Sequence, residues 1–363
     1  MYNDFTIIKS LAKGLLPEPK RDSRDYVLGA ISKQGIVRDR QILKTDGHGW
    51  KIESPTNDYQ RLADGDSNGC VSFSTVNAVQ YSVDDLMKNS KMAKAFLAQE
   101  SYIDENKRFE ANNRIVVVGS NTDPNAGNSV TVVAEFVRKN GLAPMSAWPW
   151  DNTMTRGEFY NNRRVPREII DKGLPFLKLF GIEHEWVPTD KSFNQFSQVS
   201  TPAQLINALK YGTPTVSVDG NYERGGDGLI CAMPSGIYNT TEGKLYYWNH
   251  RITLVDYSWN NWWECHDHYS NQFIKFAWNY PLGNPKLYFI TLKTMPQLYK
   301  KKDEPAIYAK HCSEDLLIPF ADGAISGGDL FKTLYGVERY SDLPRIDVAE
   351  LPYPVANYSF LSK

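Results

Sequence analysis

Hydrophobic positions in the first half of the chain recur mostly at helical spacing. The apolar residues after Cys70 fit one long amphipathic helix: Val71, Phe73, Val76, Val79 and Leu86. The pattern continues with charged faces through DDLMKNSKMAKAFLAQESYIDENKRF. A further helix, SVTVVAEFVRKNG, follows the turn-rich DPNAGNS and is expected to end at Gly141, because glycine suits the residue just past a helix.

In the second half the pattern changes towards strands. STPAQLINALKYG predicts one more short helix, capped by Ser200 or Thr201, and the following TPTVSVDG begins to alternate. RITLVDYSW, QFIKFAW and KLYFITL are rich in β-forming residues and are separated by turn-rich loops, as an antiparallel sheet requires. Helices followed by strands predict an α+β fold, with a cleft between a helical half and a sheet half.

Charge and turn signals divide the chain into three parts. Residues 1–59 predict an N-terminal arm wrapped over a core, because LLPEPKRDSRDY and ESPTNDYQ are rich in turn formers and charges. Residues 60–295 predict the main domain, with a helical lobe at about 60–180 and a β lobe at about 181–295. The charge run KKKDEP opens a C-terminal extension, 296–363.

Composition narrows the possible partners. The chain has 363 residues, long enough for a sizeable core, and 41 Lys and Arg against 42 Asp and Glu, so no basic excess indicates a nucleic-acid partner. Asp4, Lys9 and Lys13 interrupt the N-terminal segment, which therefore lacks the apolar core of a secretory signal. No apolar run approaches the length that spans a bilayer, so we expect no membrane insertion.

Four cysteines are scattered without CxxC spacing: Cys70, Cys231, Cys265 and Cys312. This pattern favours free thiols in a reducing compartment over a disulfide scaffold. Cys70 stands out because small residues precede it and a helix pattern follows it. At the start of a helix, unpaired backbone N–H groups and the helix dipole stabilise a thiolate, while Gly69 lets the backbone come close to a substrate.

His250 is the histidine best placed to partner Cys70, because it begins a predicted strand in the other half of the chain. The polar surroundings of three other histidines favour ordinary structural or solvent-facing roles: His48, His184 and His311. Cys265, His266 and His268 superficially resemble a metal cluster, but ligands so close on one short segment cannot easily supply tetrahedral geometry. We predict no metal and no cofactor.

Four blocks in order resemble the papain-like cysteine peptidases over about residues 60–290. SNGCVSFSTVNAVQ resembles the helix headed by the nucleophilic cysteine, and VVAEFVRKNGLAPMSAWPW resembles the following helix, turn and aromatic-Pro-aromatic stretch. LINALKYGTPTVSVDG resembles a helix, turn and Val-rich strand, and SGIYN with NHRITLVDY resembles the segment of the catalytic histidine. The resemblance is strongest to unsecreted members encoded by tailed bacteriophages, in which an opening like RDSRDYVLGA precedes the cysteine block.

The resemblance implies a papain-like fold in which Cys70, His250 and Asn279 are catalytic. Asn279 follows the strand QFIKFAW, and an asparagine in that place would orient the imidazole. Asn271 and Asp256 are alternatives for the third residue.

The resemblance also implies an oxyanion hole formed by the Cys70 backbone N–H and a glutamine side chain. The family has that glutamine six residues before the cysteine, where this chain has Asp64, an acceptor unsuited to donate. An insertion in QRLADGDSNGC would allow Gln60 to take the role. Gly69, Trp148 and Trp150 are candidates for substrate binding, although packing is the ordinary use of such tryptophans.

Two functions therefore follow from the sequence. The first is a papain-type peptidase that acts on a peptide or protein substrate, in the host cytoplasm or in a phage particle. The alternative is a papain-like scaffold that has lost catalysis and serves as a virion or tail protein, bound to other phage proteins. Asp64, the uncertain third residue, a long loop inserted from Ser258 to Asn271 and the C-terminal extension favour the alternative.

Overall fold

The computed structural model describes residues 15–16, 40–51, 59–189, 191–194, 197–220, 225–231, 236–240, 243–293, 317–320 and 323–326. The α-helices in these ranges are α1 Cys70–Asn89, α2 Lys91–Gln99, α3 Asn113–Gly119, α4 Val130–Asn140, α5 Arg156–Tyr160, α6 Arg167–Ile170, α7 Leu174–Leu179 and α8 Pro202–Leu209. The strands are β1 Arg61–Leu62, β2 Gly65–Asp66, β3 Phe180–Trp186, β4 Lys191–Asn194, β5 Ser197–Val199, β6 Thr215–Val218, β7 Gly236–Thr240, β8 Gly243–Tyr247, β9 His250–Ser258, β10 Trp262–Asp267, β11 Gln272–Ala277, β12 Gly283–Leu292, β13 Leu317–Phe320 and β14 Gly323–Ser326.

Helices α1 to α7 come before the large sheet in the chain, which confirms the α+β class. Eight strands form that sheet, seven of them in the order β11-β10-β9-β6-β12-β5-β4, with β3 paired to β12. All their pairings are antiparallel. The strand predictions for TPTVSVDG, RITLVDYSW, QFIKFAW and KLYFITL are confirmed as β6, β9, β11 and β12.

Helix α1 lies between the helices and the sheet and is buried along nearly its whole length. Small polar side chains allow this burial because they bond across the contact with the sheet. The Thr75 hydroxyl bonds to the Tyr288 hydroxyl at 2.9 Å, and the Thr253 hydroxyl donates to the Ser74 carbonyl at 3.1 Å. These bonds fix the start of α1 relative to β9 and β12.

The helix ends follow the predicted signals. Gly141 directly follows α4 with φ +71°, as expected. A Cβ at this position would also lie 2.2 Å from the carbonyl oxygen of Gly173. Both the positive φ and this close approach require glycine. The sequence offered Ser200 or Thr201 as the cap of α8, and the structure shows Thr201. Its side chain accepts from the backbone N–H of Gln204, and the Gln204 side chain accepts from the backbone N–H of Thr201. This arrangement is a capping box.

The predicted loop between Ser258 and Asn271 is wrong, because Trp262–Asp267 form strand β10 in the large sheet. The strand is buried at five consecutive positions, so polar and apolar residues do not alternate along it and the usual pattern is absent. One local signal exists. Asn260 has φ +59° in the Asn260–Asn261 turn, and asparagine is a favoured residue in hairpin turns.

Residues 40–51, which we call the strap, lie against the main domain. The Trp50 ring is buried and its Nε1 donates to the Leu209 carbonyl at 2.7 Å. Each basic residue of the strap pairs with an acidic residue of the domain: Arg40 with Glu183 and Glu185, Lys44 with Asp85, His48 with Asp256, and Lys51 with Glu264. This part of the predicted N-terminal arm packs on the main domain.

The predicted boundaries of the arm, main domain and extension stay predictions. Of residues 296–363, the structure describes only the hairpin of β13 and β14; His311 and Cys312 lie outside the described residues. In the described part of the chain, no helix is both long and apolar enough for a membrane span.

Candidate functional site

The site begins where α1 begins. Cys70 is the first residue of α1, and its N-cap, Gly69, has no side chain to bond the free N–H groups of the first turn. The glycine is required here, because a Cβ on it would lie 2.8 Å from Cγ2 of Val117 on α3. Cys70 is completely buried, so its sulfur faces protein groups in this conformation.

His250 is the protein group that meets the Cys70 thiol. It is the first residue of β9 and pairs with Val218 at the end of β6, which brings its ring towards the start of α1. The two side chains are within hydrogen-bond reach of each other. The structure therefore brings together the two residues that the sequence analysis placed in different halves of the chain.

Asp267 is the second partner of the imidazole. Its Oδ1 lies 2.9 Å from Nε2 of His250, and both side chains are almost fully buried. Because β9 and β10 are antiparallel neighbours, the first residue of β9 and the last residue of β10 lie at the same edge of the sheet. With Nε2 bonded to Asp267, Nδ1 is the nitrogen left for Cys70.

This geometry corrects the prediction for Asn279. That residue lies exposed in the turn after β11, and the side chain bonded to His250 is the carboxylate of Asp267. The two alternatives are also engaged elsewhere. Asn271 Oδ1 accepts from His266 Nε2 at 3.1 Å, and Asp256 bonds to His48 at 2.6 Å.

Charge favours a protonated His250. Burial alone would lower the pKa of the imidazole, but the hydrogen bond and the charge of Asp267 raise it, and Cys70 adds to the rise. For Asp267, burial acts to raise the pKa of the carboxyl, but the hydrogen bond and charge of His250 outweigh it and hold that pKa below its ordinary value. The pair is therefore an imidazolium and a carboxylate at neutral pH.

Gln60 lies fully buried next to this edge of the sheet. Its backbone N–H donates to the His268 carbonyl at 2.9 Å, and its side-chain Nε2 donates to Asp66 Oδ1 at 2.6 Å. The hairpin of β1 and β2 supplies the insertion expected between Gln60 and Cys70. Asp64 lies in the turn of that hairpin, exposed, and accepts from the backbone N–H of Arg156 at 2.7 Å.

Both candidate tryptophans make packing contacts. Trp150 is 5% exposed and lies edge-on to Phe73 and Phe159. Trp148 is partly exposed, and the Arg114 guanidinium lies 3.7 Å above its ring. Gly69 likewise has the packing reason given above, so a role of these residues in substrate binding stays a prediction.

The residues of the superficial metal cluster do not converge. Both ring nitrogens of His266 are hydrogen-bonded. Nδ1 accepts from the Tyr81 hydroxyl, and Nε2 donates to the side-chain oxygen of Asn271. Cys265 is a fully buried free thiol, and burial raises its pKa well above the ordinary value. Among the described residues, no group of three or more His, Cys, Asp or Glu side chains could hold a metal ion.

No protein-family model matches the chain, and no curated protein sequence matches it either. The solved structures that match the chain include cysteine proteases. Xylellain from Xylella fastidiosa has a TM-score of 0.44 at 14% identity, over 79% of this chain and 97% of that one. Procathepsin L 3 from the larval midgut of Tenebrio molitor has 0.40 at 13%, over 78% of each chain.

The bromelain protease of Ananas comosus, in complex with the E64 inhibitor, has a TM-score of 0.37 at 14% identity, over 66% of this chain and 95% of that one. These scores and identities are too low to assign a function to this chain. Function has to be inferred from the side chains of the site itself.

Proposed function

We propose that this protein is a papain-type cysteine peptidase, in which Cys70 is the nucleophile and His250 the acid and base. The observation that carries the proposal is the buried chain of contacts from Cys70 to His250 to Asp267. A nucleophile within reach of a base that a third group orients is the general arrangement for covalent catalysis. The carboxylate stabilises the imidazolium, and an imidazolium beside sulfur favours the thiolate form.

Cys70 would attack the carbonyl carbon of a peptide bond and form a tetrahedral intermediate. The free N–H groups at the start of α1 lie next to the sulfur and would stabilise the oxyanion. His250 would then give its proton to the leaving amine as the C–N bond breaks, and water would hydrolyse the thioester. Because Cys70 and His250 are buried, a substrate reaches the sulfur only after a movement that uncovers it.

The substrate of this peptidase would be a peptide or protein. A place in the host cytoplasm or in a phage particle, next to other virion proteins, remains a prediction from the sequence resemblance. The alternative function is a scaffold without catalysis. The burial of Cys70 is the observation that favours it, since a permanently covered sulfur cannot react.

Selective alkylation separates the two functions, because the chain contains its own reference thiol. Cys231 is an exposed free cysteine, and a thiol without an activating partner reacts slowly in acid because the thiolate is the nucleophile. Iodoacetamide at pH 6, with site assignment by mass spectrometry, should label Cys70 at least about ten times faster than Cys231. His250→Ala should abolish this preference.

The scaffold would instead show Cys70 labelled no faster than Cys231, in the native protein and the variant alike. As a second measurement, fluorogenic peptide libraries should be cleaved by the native protein and not by Cys70→Ala. A native protein that fails in both measurements would contradict the proposed peptidase.

A further inference from the structure

His268 is a buried polar side chain that the mechanism above does not use. It directly follows Asp267 and is completely buried. Among the described residues, neither of its ring nitrogens has a hydrogen-bond partner. An imidazole without a partner loses its hydration on burial and gains nothing in return. If packing were its only role, a phenylalanine would fill this position at lower cost.

The His268 ring lies between the elements that form the site. It stacks on Phe73, in the first turn of α1, with centroids 5.6 Å apart and an angle of 21°. Its centroid is 5.5 Å from that of His250. Its backbone carbonyl is the acceptor for Gln60. The ring is thus held next to both the cysteine helix and the catalytic imidazole.

His268 is neutral in this environment. Burial lowers the pKa of its ring well below the ordinary value, and the positive charge of His250 lowers it further. The charged or titratable groups that act on it are His250 on β9 and Asp267 and His266 on β10, while α1 faces it with the uncharged Phe73 ring. A neutral imidazole carries one N–H donor and one acceptor nitrogen.

The side chain expected to donate to an oxyanion is tied to another group. One N–H of Gln60 Nε2 donates to Asp66 at 2.6 Å, and a carboxylate is a strong acceptor that holds the amide in place. Asp64 is turned towards Arg156. The ring of His268, whose centroid lies 5.5 Å from that of His250, is a buried donor without a partner among the described residues.

We propose that His268 is a catalytic residue that donates its ring N–H to the oxyanion formed when Cys70 attacks the carbonyl carbon. This inference rests on the proposed peptidase function. In the step, the S–C bond forms and the carbonyl π electrons move to oxygen. The oxygen accepts the His268 hydrogen bond, and His268 neither gains nor loses a proton. When the oxyanion collapses, the C–N bond breaks and the amine takes its proton from His250.

A donor without a partner at rest would form its hydrogen bond mainly as the oxyanion develops. Interactions of this kind lower the barrier rather than only tightening substrate binding. His268→Phe should therefore keep the flat ring on Phe73 but remove the donor. His268→Gln should restore a donor at a similar distance from the backbone.

Two probes distinguish an oxyanion donor from a packing residue. Iodoacetamide alkylates the Cys70 sulfur without forming an oxyanion. A dipeptidyl aldehyde, chosen from an N-acetyl panel as the strongest inhibitor of the native protein, binds Cys70 as a hemithioacetal whose oxygen occupies the oxyanion position. We expect His268→Phe to weaken aldehyde inhibition about 100-fold, the scale for one lost donor, while the iodoacetamide rate stays within about two-fold. His268→Gln should recover at least about ten-fold.

An unchanged aldehyde affinity in His268→Phe would overturn the proposal. So would an equal loss with both probes, or a His268→Gln variant as weak as His268→Phe, because each indicates packing alone. The native protein provides the separate test of the peptidase function. If its Cys70 is alkylated no faster than Cys231, both inferences fail; if Cys70 is alkylated faster and only the aldehyde result is negative, the role of His268 alone is overturned.

Discussion

The backbone N–H of Gln60 donates to the backbone carbonyl of His268 at 2.9 Å. This bond joins the segment that leads to Cys70 with the end of the strand that carries Asp267. The loop before the cysteine is therefore fixed to the sheet rather than only to its own helix. Cys70, His250 and Asp267 are thereby held by elements that are bonded to one another.

Asp267→Ala should lower the upper pH limit of peptide cleavage. In the native protein Asp267 raises the pKa of His250 against the effect of burial, so the imidazolium persists to high pH. Without the carboxylate, burial is expected to lower that pKa, and the imidazolium is lost as pH rises through a lower value. The alkaline limb of the peptide-cleavage rate should shift down by at least about one pH unit, because the leaving amine needs the imidazolium proton, and the rate itself should fall roughly 100-fold or more.

Asn279→Ala is the matched control for this change. Asn279 is exposed in a turn, so both its pH profile and its cleavage rate should stay within about two-fold of the native values. A loss in Asn279→Ala that equals the loss in Asp267→Ala would contradict the assignment of Asp267.

Asp84→Asn should make the free energy of unfolding less sensitive to rising pH. Burial raises the pKa of the Asp84 carboxyl to about 7, above the ordinary value near 3.9 that holds in the unfolded chain. Between these two values the folded state binds the proton more tightly, so the free energy of unfolding falls as pH rises. Over the full range the loss approaches roughly 4 kcal/mol.

The measurement is the free energy of unfolding in urea, for the native protein and Asp84→Asn between pH 4 and 8. The difference between the two proteins should change in favour of the variant as pH rises. The amide can still accept the Phe109 N–H, as Asp84 does at 2.8 Å. If the difference in unfolding free energy between the two proteins does not change with pH, the pKa of Asp84 is the same in the folded and unfolded states, and the prediction is wrong.

Gly141→Ala should destabilise the fold by more than about 2 kcal/mol. Its φ of +71° is unfavourable for alanine, and the added Cβ would collide with the Gly173 carbonyl. Gly157→Ala is the control, because it lies within α5 and an added Cβ would make only an ordinary van der Waals contact, 3.8 Å from Oγ1 of Thr155. That change should be neutral or stabilise by about 0.5–1 kcal/mol. Thermal unfolding of the two variants measures both effects. Equal losses of stability in Gly141→Ala and Gly157→Ala would contradict the requirement for glycine at position 141.

Trp50→Ala should release the strap and cost about 3–5 kcal/mol, since a buried ring and its hydrogen bond to Leu209 are both lost. Trp259→Ala removes the same side chain from a site where it is 59% exposed, and should cost less than about 1 kcal/mol. Urea unfolding of both variants provides the comparison. A loss in Trp50→Ala as small as that in Trp259→Ala would show that the strap adds little to the stability of the domain.

The local sequence pattern predicted the elements that begin the site. Helical spacing after Cys70 and the β-rich run after His250 are properties of neighbouring residues, and each predicted the element that the structure contains. Gly141 was predictable for the same reason, since a helix end and a left-handed conformation are determined within a few residues.

The residue that bonds to the far side of the His250 ring could be identified only from the tertiary structure. Which carboxylate meets His250 is decided by which strand lies beside β9, and β10 is buried on both faces, so its sequence does not alternate. Asn279 was the better match to the family pattern, but it follows β11, one strand further from β9. The choice of Asp267 is a matter of strand order.

The same distinction holds for the donors around the site. The sequence by itself determined a cysteine at a helix start, a histidine at a strand start and a glutamine upstream, because these depend on local periodicity and turn chemistry. Only the folded chain decided that Asp66 holds the Gln60 amide and that His268 lies next to His250. The first contact is set by how β1 pairs with β2, and the second by how β9 pairs with β10.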